Sequence, residues 1–284
     1  MSPTPVRYRS REEDSARWLS FPFRPGDIVI STRRRTGTTW LQMICALLIF
    51  QRPELPAPLW HLSPWLDHLV MPPGMLYAQL AAQPHRRFIK THTPLDGLPY
   101  YPYVTYVVSA RHPLDMFVSL QHHLENMADG PPSPSGSPHD DLARWLDGDT
   151  AFPESLPAAM WHLTDAWSRR FWPNVLLVHY DDLVVGLEAQ MRYLAWRLGI
   201  AVPEAQWPGL VAAAGFDQMR DRAGHLVPGS GHGPFRDSTA FFRRGTPGAR
   251  EVFTAEEVAR YQAKAAGLAP PDLLEWLHAP RATT

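Results

Sequence analysis

Four short stretches of this chain bring together side chains that bind anions or move protons. The first is Thr32-Arg33-Arg34-Arg35-Thr36-Gly37-Thr38-Thr39-Trp40. Its three guanidiniums and the hydroxyls of Thr36, Thr38 and Thr39 suit a phosphate or sulfate, with Gly37 giving the backbone freedom to wrap it. The second is Lys90 with His92, an ammonium two residues from an imidazole that can take a proton near neutral pH. The third is Arg111, followed eight residues on by Ser119, and the fourth is Arg243-Arg244-Gly245 within Phe241–Gly248. Each has a plain reading when taken alone. An Arg-rich turn is usually solvated, and one histidine among 13 usually has a structural hydrogen bond.

The first stretch departs from the nucleotide-triphosphatase signature G-x-x-x-x-G-K-[ST]. No glycine stands five residues before Gly37, and Thr38 occupies the place of the lysine. Its chemistry is that of an anion loop without the features that select ATP.

The elements that must position these groups follow from the pattern. Ile28–Ile30 is β-favouring and the apolar Leu41–Phe50 is helix-compatible, so the basic loop joins a strand to a helix whose first N–H groups face an anion. Arg87–Lys90 reads as a strand ending at Thr91-His92, with Pro94 stopping the ladder. Val104–Ser109 is a strand buried on both faces, and Pro113 opens the helix Leu114–Leu124. Ser119 then lies about 9 Å of rise from that helix start. Val175–Tyr180 is a further strand. Leu187, Met191, Leu194, Ala195 and Leu198 form one helical face ending at Gly199, and 255–266 and 271–278 are closing helices.

Strands alternating with helices predict an α/β fold, a single domain with a central parallel sheet flanked by helices and a P-loop-like anion-binding loop. Ligands in such folds sit beyond the carboxyl ends of the strands, so 31–37, Thr91-His92, Ala110-Arg111 and Tyr180 should meet in one crevice. Residues 1–25 read as a surface arm. The Pro, Ser and Gly-rich run from Asn126 to Pro138 reads as a lid or insertion, and the whole of 126–150 as a flexible insertion or lid. Residues 225–239 read as a second loop. An apolar acceptor pocket is expected from Trp60, Leu62, Trp65, Leu66, Phe152 and Trp161.

At 284 residues and 45% hydrophobic the chain can bury a full core. With 28 acidic and 27 basic residues its net charge is −1, which argues against nucleic acid as a partner. The lone Cys45 precludes an intrachain disulfide and a cysteine-rich metal cluster. A polar Met1–Asp14 and the absence of a run of roughly 18 apolar residues point to a cytoplasmic protein with no membrane span.

Read in order, the segments T-R-R-R-T-G-T-T-W, F-I-K-T-H-T-P, V-V-S-A-R-H-P-L-D-M-F-V-S, L-L-V-H-Y-D-D-L and F-F-R-R-G-T-P-G resemble the cytosolic-type sulfotransferases. The resemblance covers residues 18–266. That family takes a sulfuryl group from 3′-phosphoadenosine 5′-phosphosulfate (PAPS). The resemblance implies that Arg35, Thr36, Gly37, Thr38, Thr39 and Trp40 hold the 5′-phosphosulfate, with Trp40 near the adenine. It implies that Arg111 and Ser119 hold the 3′-phosphate, that Arg243, Arg244 and Gly245 close over it, and that Tyr180 lies near the adenine. His92 matches the catalytic base and Lys90 a lysine on the transferring group.

Two departures stand out. Arg35 occupies the place of the family's lysine, so a guanidinium of fixed charge takes the role of stabilising the leaving group. The late motif continues Ala249-Arg250-Glu251 in place of G-D-W-K, and the family's dimerisation signature is not matched there, which leaves the oligomeric state open. The expected reaction is transfer of a sulfuryl group from PAPS to a hydroxyl of a small-molecule, lipid or glycoside acceptor, with no metal expected. A nucleotide kinase-like phosphotransferase and a non-catalytic nucleotide-binding protein are the alternatives.

Overall fold

The strands Ile28–Thr32 (β1), Phe88–Thr91 (β2), Thr105–Ala110 (β3) and Val175–His179 (β4) are all parallel and lie in the order β2-β1-β3-β4. Ile30 pairs with Lys90 on one side and Val107 on the other, and Ala110 pairs with His179. The carboxyl ends of all four strands therefore open on the same edge. The computed structural model describes residues 4–128, 137–150, 154–227, 235–242 and 249–281.

The helices are α1 (Thr38–Phe50), α2 (Leu59–Leu62), α3 (Pro73–Ala82), α4 (Pro113–Asn126), α5 (Pro138–Asp147), α6 (Leu156–Ser168) and α7 (Tyr180–Val185). They continue with α8 (Leu187–Leu198), α9 (Trp207–Ala214), α10 (Phe216–Asp221), α11 (Ala223–Leu226), α12 (Ala255–Ala266) and α13 (Pro271–His278). Ile28, Ile30, Phe88, Val107, Leu176 and Val178 pack on one face of the sheet with α1, α8 and α9, through residues such as Leu41, Ile44, Leu194 and Leu210. Val29, Ile89, Tyr106, Val108 and Val175 pack on the other face with α4, α5, α6, α12 and α13. With both faces covered, each strand is apolar at consecutive positions. No helix among the described residues is long and apolar enough to cross a membrane.

Local chemistry sets the helix starts that matter. Pro113 is the first residue of α4, and His112 Nδ1 accepts from the Leu114 N–H at 3.3 Å as its cap. The start of α1 has no side-chain cap, so its first N–H groups are left for a ligand. α8 ends on Gly199, whose left-handed backbone closes the helix as read from the sequence.

Three expectations change. The segment read as a surface arm is anchored in the core: Trp18 and Phe21 are buried, Trp18 stacks on Phe23, and Glu13 bridges His68. Behind it, Arg87 Nε donates to Asp27 Oδ1 at 2.8 Å in a fully buried ion pair. The stretch 126–150 is not all insertion, because its portion Pro138–Asp147 is helix α5, which buries Leu142, Trp145 and Leu146 against Phe117 and its neighbours. Residues 129–136 lie outside the described residues, as does most of the second loop, 228–234. Tyr180 is the first residue of α7 and not the last of β4.

Candidate active site

Between β1 and α1 the backbone turns through two left-handed residues, Arg35 (φ 69°) and Gly37 (φ 102°). At Gly37 the conformation is the one that glycine alone adopts without penalty, and a Cβ there would meet the Tyr180 ring at 3.0 Å. The loop therefore lies tight against the start of α7. Gly37, Thr38, Thr39 and Trp40 face a cavity of about 750 Å³, together with Arg35, Lys90, His92, Arg111, Ser119 and Tyr180. Ends of all four strands thus contribute to one crevice.

The consecutive loop residues do different things. The Thr36 hydroxyl is turned inward, donating to the Arg33 carbonyl at 2.8 Å and sharing a hydrogen bond with Ser109 Oγ at 2.8 Å. It does not line the cavity, contrary to its expected part as a hydroxyl donor there. Thr38 Oγ1 lies 2.6 Å from Thr32 Oγ1 and also lines the cavity. Arg33 is buried and donates to the His92 carbonyl at 2.9 Å, so it holds the backbone of His92. Arg34 is paired with Glu12 at 2.6 Å, Glu154 at 3.1 Å and Glu13 at 3.7 Å. Burial raises the Glu13 carboxyl to about 7, with Asp67 adding to the effect and Arg34 opposing it.

Arg35 points along the cavity toward α4. Its Nε donates to Ser119 Oγ at 3.0 Å, one terminal nitrogen donates to the Phe241 carbonyl at 3.0 Å, and another lies 3.5 Å from His123 Nδ1. The guanidinium expected beside the transferring group thus sits with a residue expected at the 3′-phosphate. Arg111 donates to the Arg35 carbonyl at 3.3 Å, and its guanidinium lies 4.3 Å from the centre of the Tyr180 ring. Tyr180 meets Trp40 edge-on at 5.4 Å. Arg111, Ser119, Tyr180, Trp40 and the loop are therefore brought together. Arg243, Arg244 and Gly245 lie outside the described residues.

On the other side of the loop, His92 Nδ1 lies 2.5 Å from the Thr32 carbonyl oxygen. A carbonyl only accepts, so Nδ1 carries the hydrogen and Nε2 is the basic nitrogen. Burial, then the charges of Lys90 and Arg34, hold the imidazole well below its usual range, so it is neutral at pH 7. Burial and Arg34 likewise push Lys90 down to about 8. The Lys90 ammonium sits 4.5 Å from the centre of the Trp65 ring, which stacks on His68 at 4.3 Å and meets His92 edge-on at 4.7 Å.

Of the expected acceptor wall, Trp60 and Trp65 line the cavity. Leu62 and Leu66 are buried in the two cores, one on each side. Trp161 is 46% exposed and donates to the Tyr8 hydroxyl outside the cavity, and Phe152 lies outside the described residues. The wall is completed by residues the sequence reading missed, including Met71, Leu76, Gln79, Phe216, Phe241 and Phe242. His123 was also missed, although it follows Ser119 by four residues on α4 and so shares its face. Burial, then the charge of Arg35, lowers its imidazole to about 3.

One crevice thus holds a cationic anion-binding loop, a neutral imidazole beside a poised ammonium, and several aromatic wall residues. Residues 25–265 match the sequence model of the Sulfotransferase domain. The chain belongs to the sulfotransferase family. A "Glycolipid sulfotransferase" of Mycobacterium bovis (strain BCG / Pasteur 1173P2) is 37% identical, with 96% of this chain and 94% of that one covered. A protein of the same description from Mycobacterium tuberculosis (strain ATCC 25177 / H37Ra) is also 37% identical over the same shares. Among solved structures, a mouse sulfotransferase complexed with PAP superposes with a TM-score of 0.73 at 20% identity, covering 93% of each chain. Retinol dehydratase in complex with androsterone and PAP gives 0.72 at 22% identity, covering 95% of this chain and 87% of that one. These structures share the fold of this sulfotransferase. Among its described residues no group of three or more His, Cys, Asp or Glu is placed to hold a metal ion.

Proposed function

We propose that this sulfotransferase moves the sulfuryl group of PAPS to a hydroxyl of a lipid-like acceptor, with glycolipids as the leading class. The observation that carries the reading is the tautomer of His92. Its Nδ1 donates to Thr32, which leaves Nε2 as a buried base beside the Lys90 ammonium in the same cavity as the anion loop. Support for PAPS comes from the fit of the other end: Arg35, Arg111 and Ser119 supply donors for phosphate oxygens, and Trp40, Tyr180 and Phe216 supply aromatic surface for a purine. Support for the acceptor class comes from the glycolipid sulfotransferases at 37% identity and from the apolar wall of Trp60, Met71 and Leu76.

In this reading His92 Nε2 takes the acceptor hydroxyl proton as the oxygen bonds to sulfur. The bond from sulfur to the bridging phosphate oxygen breaks, and adenosine 3′,5′-bisphosphate (PAP) departs. Such a displacement is loose and in-line, so positioning and electrostatics supply most of the rate. Lys90 stabilises the equatorial sulfuryl oxygens. Thr38 and the uncapped N–H groups of α1 stabilise the departing phosphate. The 3′-phosphate lies with Arg111, Ser119 and the Arg35 guanidinium bonded to that serine.

A transfer assay with labelled PAPS across glycolipid, steroid and phenol acceptors tests the reading. Transfer to glycolipid above the other classes is the expected result, and no transfer to any hydroxyl overturns it. Titration calorimetry with PAP and with ATP separates it from a kinase-like reading, with PAP binding and ATP failing as the expected pattern.

A further inference from the structure

The mouth of the acceptor cavity carries the sequence Leu69-Val70-Met71-Pro72-Pro73-Gly74-Met75-Leu76, which contains no charge, amide or hydroxyl in any side chain. A run of that composition belongs in a core, yet here Val70 is 81%, Met75 63% and Leu69 39% exposed, and the prolines and glycine between them are exposed as well. The loop is not loose. Arg17 donates to the carbonyls of His68 at 2.6 Å and Met71 at 2.8 Å, and the Leu69 N–H donates to the Glu12 carbonyl at 2.7 Å. The backbone is thus pinned up to Met71 and from Pro73 is the first turn of α3, with Leu69, Val70 and Met75 directed outward and Leu76 buried. Val70, Met71 and Leu76 also line the cavity, so the exposed surface and the interior wall are continuous.

We propose that this loop is a lip that seats the protein on the surface of a phospholipid bilayer, from which an apolar acceptor passes to His92 without crossing water. The inference rests on the acceptor class proposed above. Three features favour a bilayer as the occupant. A protein partner's interface carries about one hydrogen bond per 100–200 Å², and the lip's side chains offer none. Lipid tails ask only for apolar surface at the depth of the headgroup boundary. The segment paired beside the loop presents the exposed guanidinium of Arg11, which suits anionic headgroups.

The full-length chain is tested by co-sedimentation with vesicles of phosphatidylcholine, alone and mixed with phosphatidylglycerol, against a Leu69→Glu/Met75→Glu variant and an Arg11→Glu variant. Neither Leu69, Met75 nor Arg11 lines the cavity. The wild type is expected to bind vesicles. The double variant should lose at least about tenfold in binding, because two carboxylates replace apolar contacts at the boundary. Arg11→Glu should lose only the increment from the anionic lipid. Thermal melts equal to wild type, and unchanged turnover with a water-soluble acceptor, show that the variants are folded and competent. A wild type that ignores both vesicles overturns the lip, as does a double variant that binds like wild type. A double variant that turns a dimer into a monomer, with no vesicle binding by the wild type, assigns the surface to a second copy instead. Binding is read without turnover, so a wild type that transfers the sulfuryl group but binds no vesicle removes the lip alone, and a wild type that binds vesicles but transfers to no hydroxyl removes the functional reading alone.

Discussion

The Nζ of Lys90 sits 4.5 Å from the centre of the Trp65 indole, while the edge-on contact of that indole with His92 spans 4.7 Å. One ring therefore touches both groups assigned to the transfer step. Replacing Trp65 with Leu removes the π face that seats the ammonium and should lower turnover roughly thirtyfold, the size of a cation–π contact in a desolvated site. Phe keeps a face and should retain most of the activity. PAP affinity should be unchanged in both. Steady-state kinetics in which Leu and Phe behave alike, or in which only the acceptor KM moves, would show that Trp65 is simply a wall.

The pH dependence follows from the same pair. His92 is held well below its usual range, so its basic form predominates throughout neutral pH and the acid limb of activity should lie well below 6.5. Lys90 is active as the ammonium and is pushed down to about 8, so activity should fall as pH rises through about 8. The quantity to follow is kcat/KM for PAPS, which reports groups of the free enzyme. A profile still flat well above pH 8 would mean that the Lys90 ammonium does not act on the sulfuryl oxygens. His92→Ala should abolish nearly all turnover and leave PAP affinity intact.

Arg111 meets both the loop carbonyl of Arg35 and the ring of Tyr180. Removing its guanidinium with Arg111→Ala should weaken PAP binding by about ten- to a hundredfold, the range of a lost charged hydrogen bond. An unchanged dissociation constant by calorimetry would take Arg111 out of the nucleotide site.

A stability prediction comes from behind the sheet. Arg87 and Asp27 are both buried, and truncating Arg87 to Ala would leave Asp27 without its ion-pair partner, at a cost of about 3–5 kcal/mol. Thermal or denaturant unfolding should show a loss of that size. A change under about 1 kcal/mol would mean that water reaches the vacated site.

Strands and helices were legible because their signals are local. Consecutive β-branched residues marked β3, Pro113 marked the start of α4, and Gly199 marked the end of α8. Which of several adjacent side chains turns inward was not legible. Thr36 and Thr38 are the same residue two positions apart, and only the fold decides that one hydroxyl bonds Ser109 while the other lines the cavity. The same holds for Arg33, Arg34 and Arg35, which go to a carbonyl of His92, to three carboxylates and to Ser119. Trp18 read as surface because its segment has no periodicity, although tertiary packing buries it. Helix α5 was hidden by the Pro- and Gly-rich run before it. The association of Lys90 with Trp65 needs the bridge between Trp65 and Lys90 backbones, which links segments 25 residues apart.

β2 is an edge strand, hydrogen-bonded to β1 and to no other strand of the sheet. The proposed base and ammonium hang from this periphery, while the groups assigned to the nucleotide come from the interior strands β1 and β3 and from the end of β4. Much of the wall that an incoming alcohol meets is the connection from α2 to α3, which joins the ladder only where Trp65 bridges Lys90. Donor chemistry and acceptor choice are therefore physically separable. Grafting a different 69–80 segment, which keeps Trp65, offers a route to retarget this catalyst toward other alcohols while leaving its nucleotide half untouched.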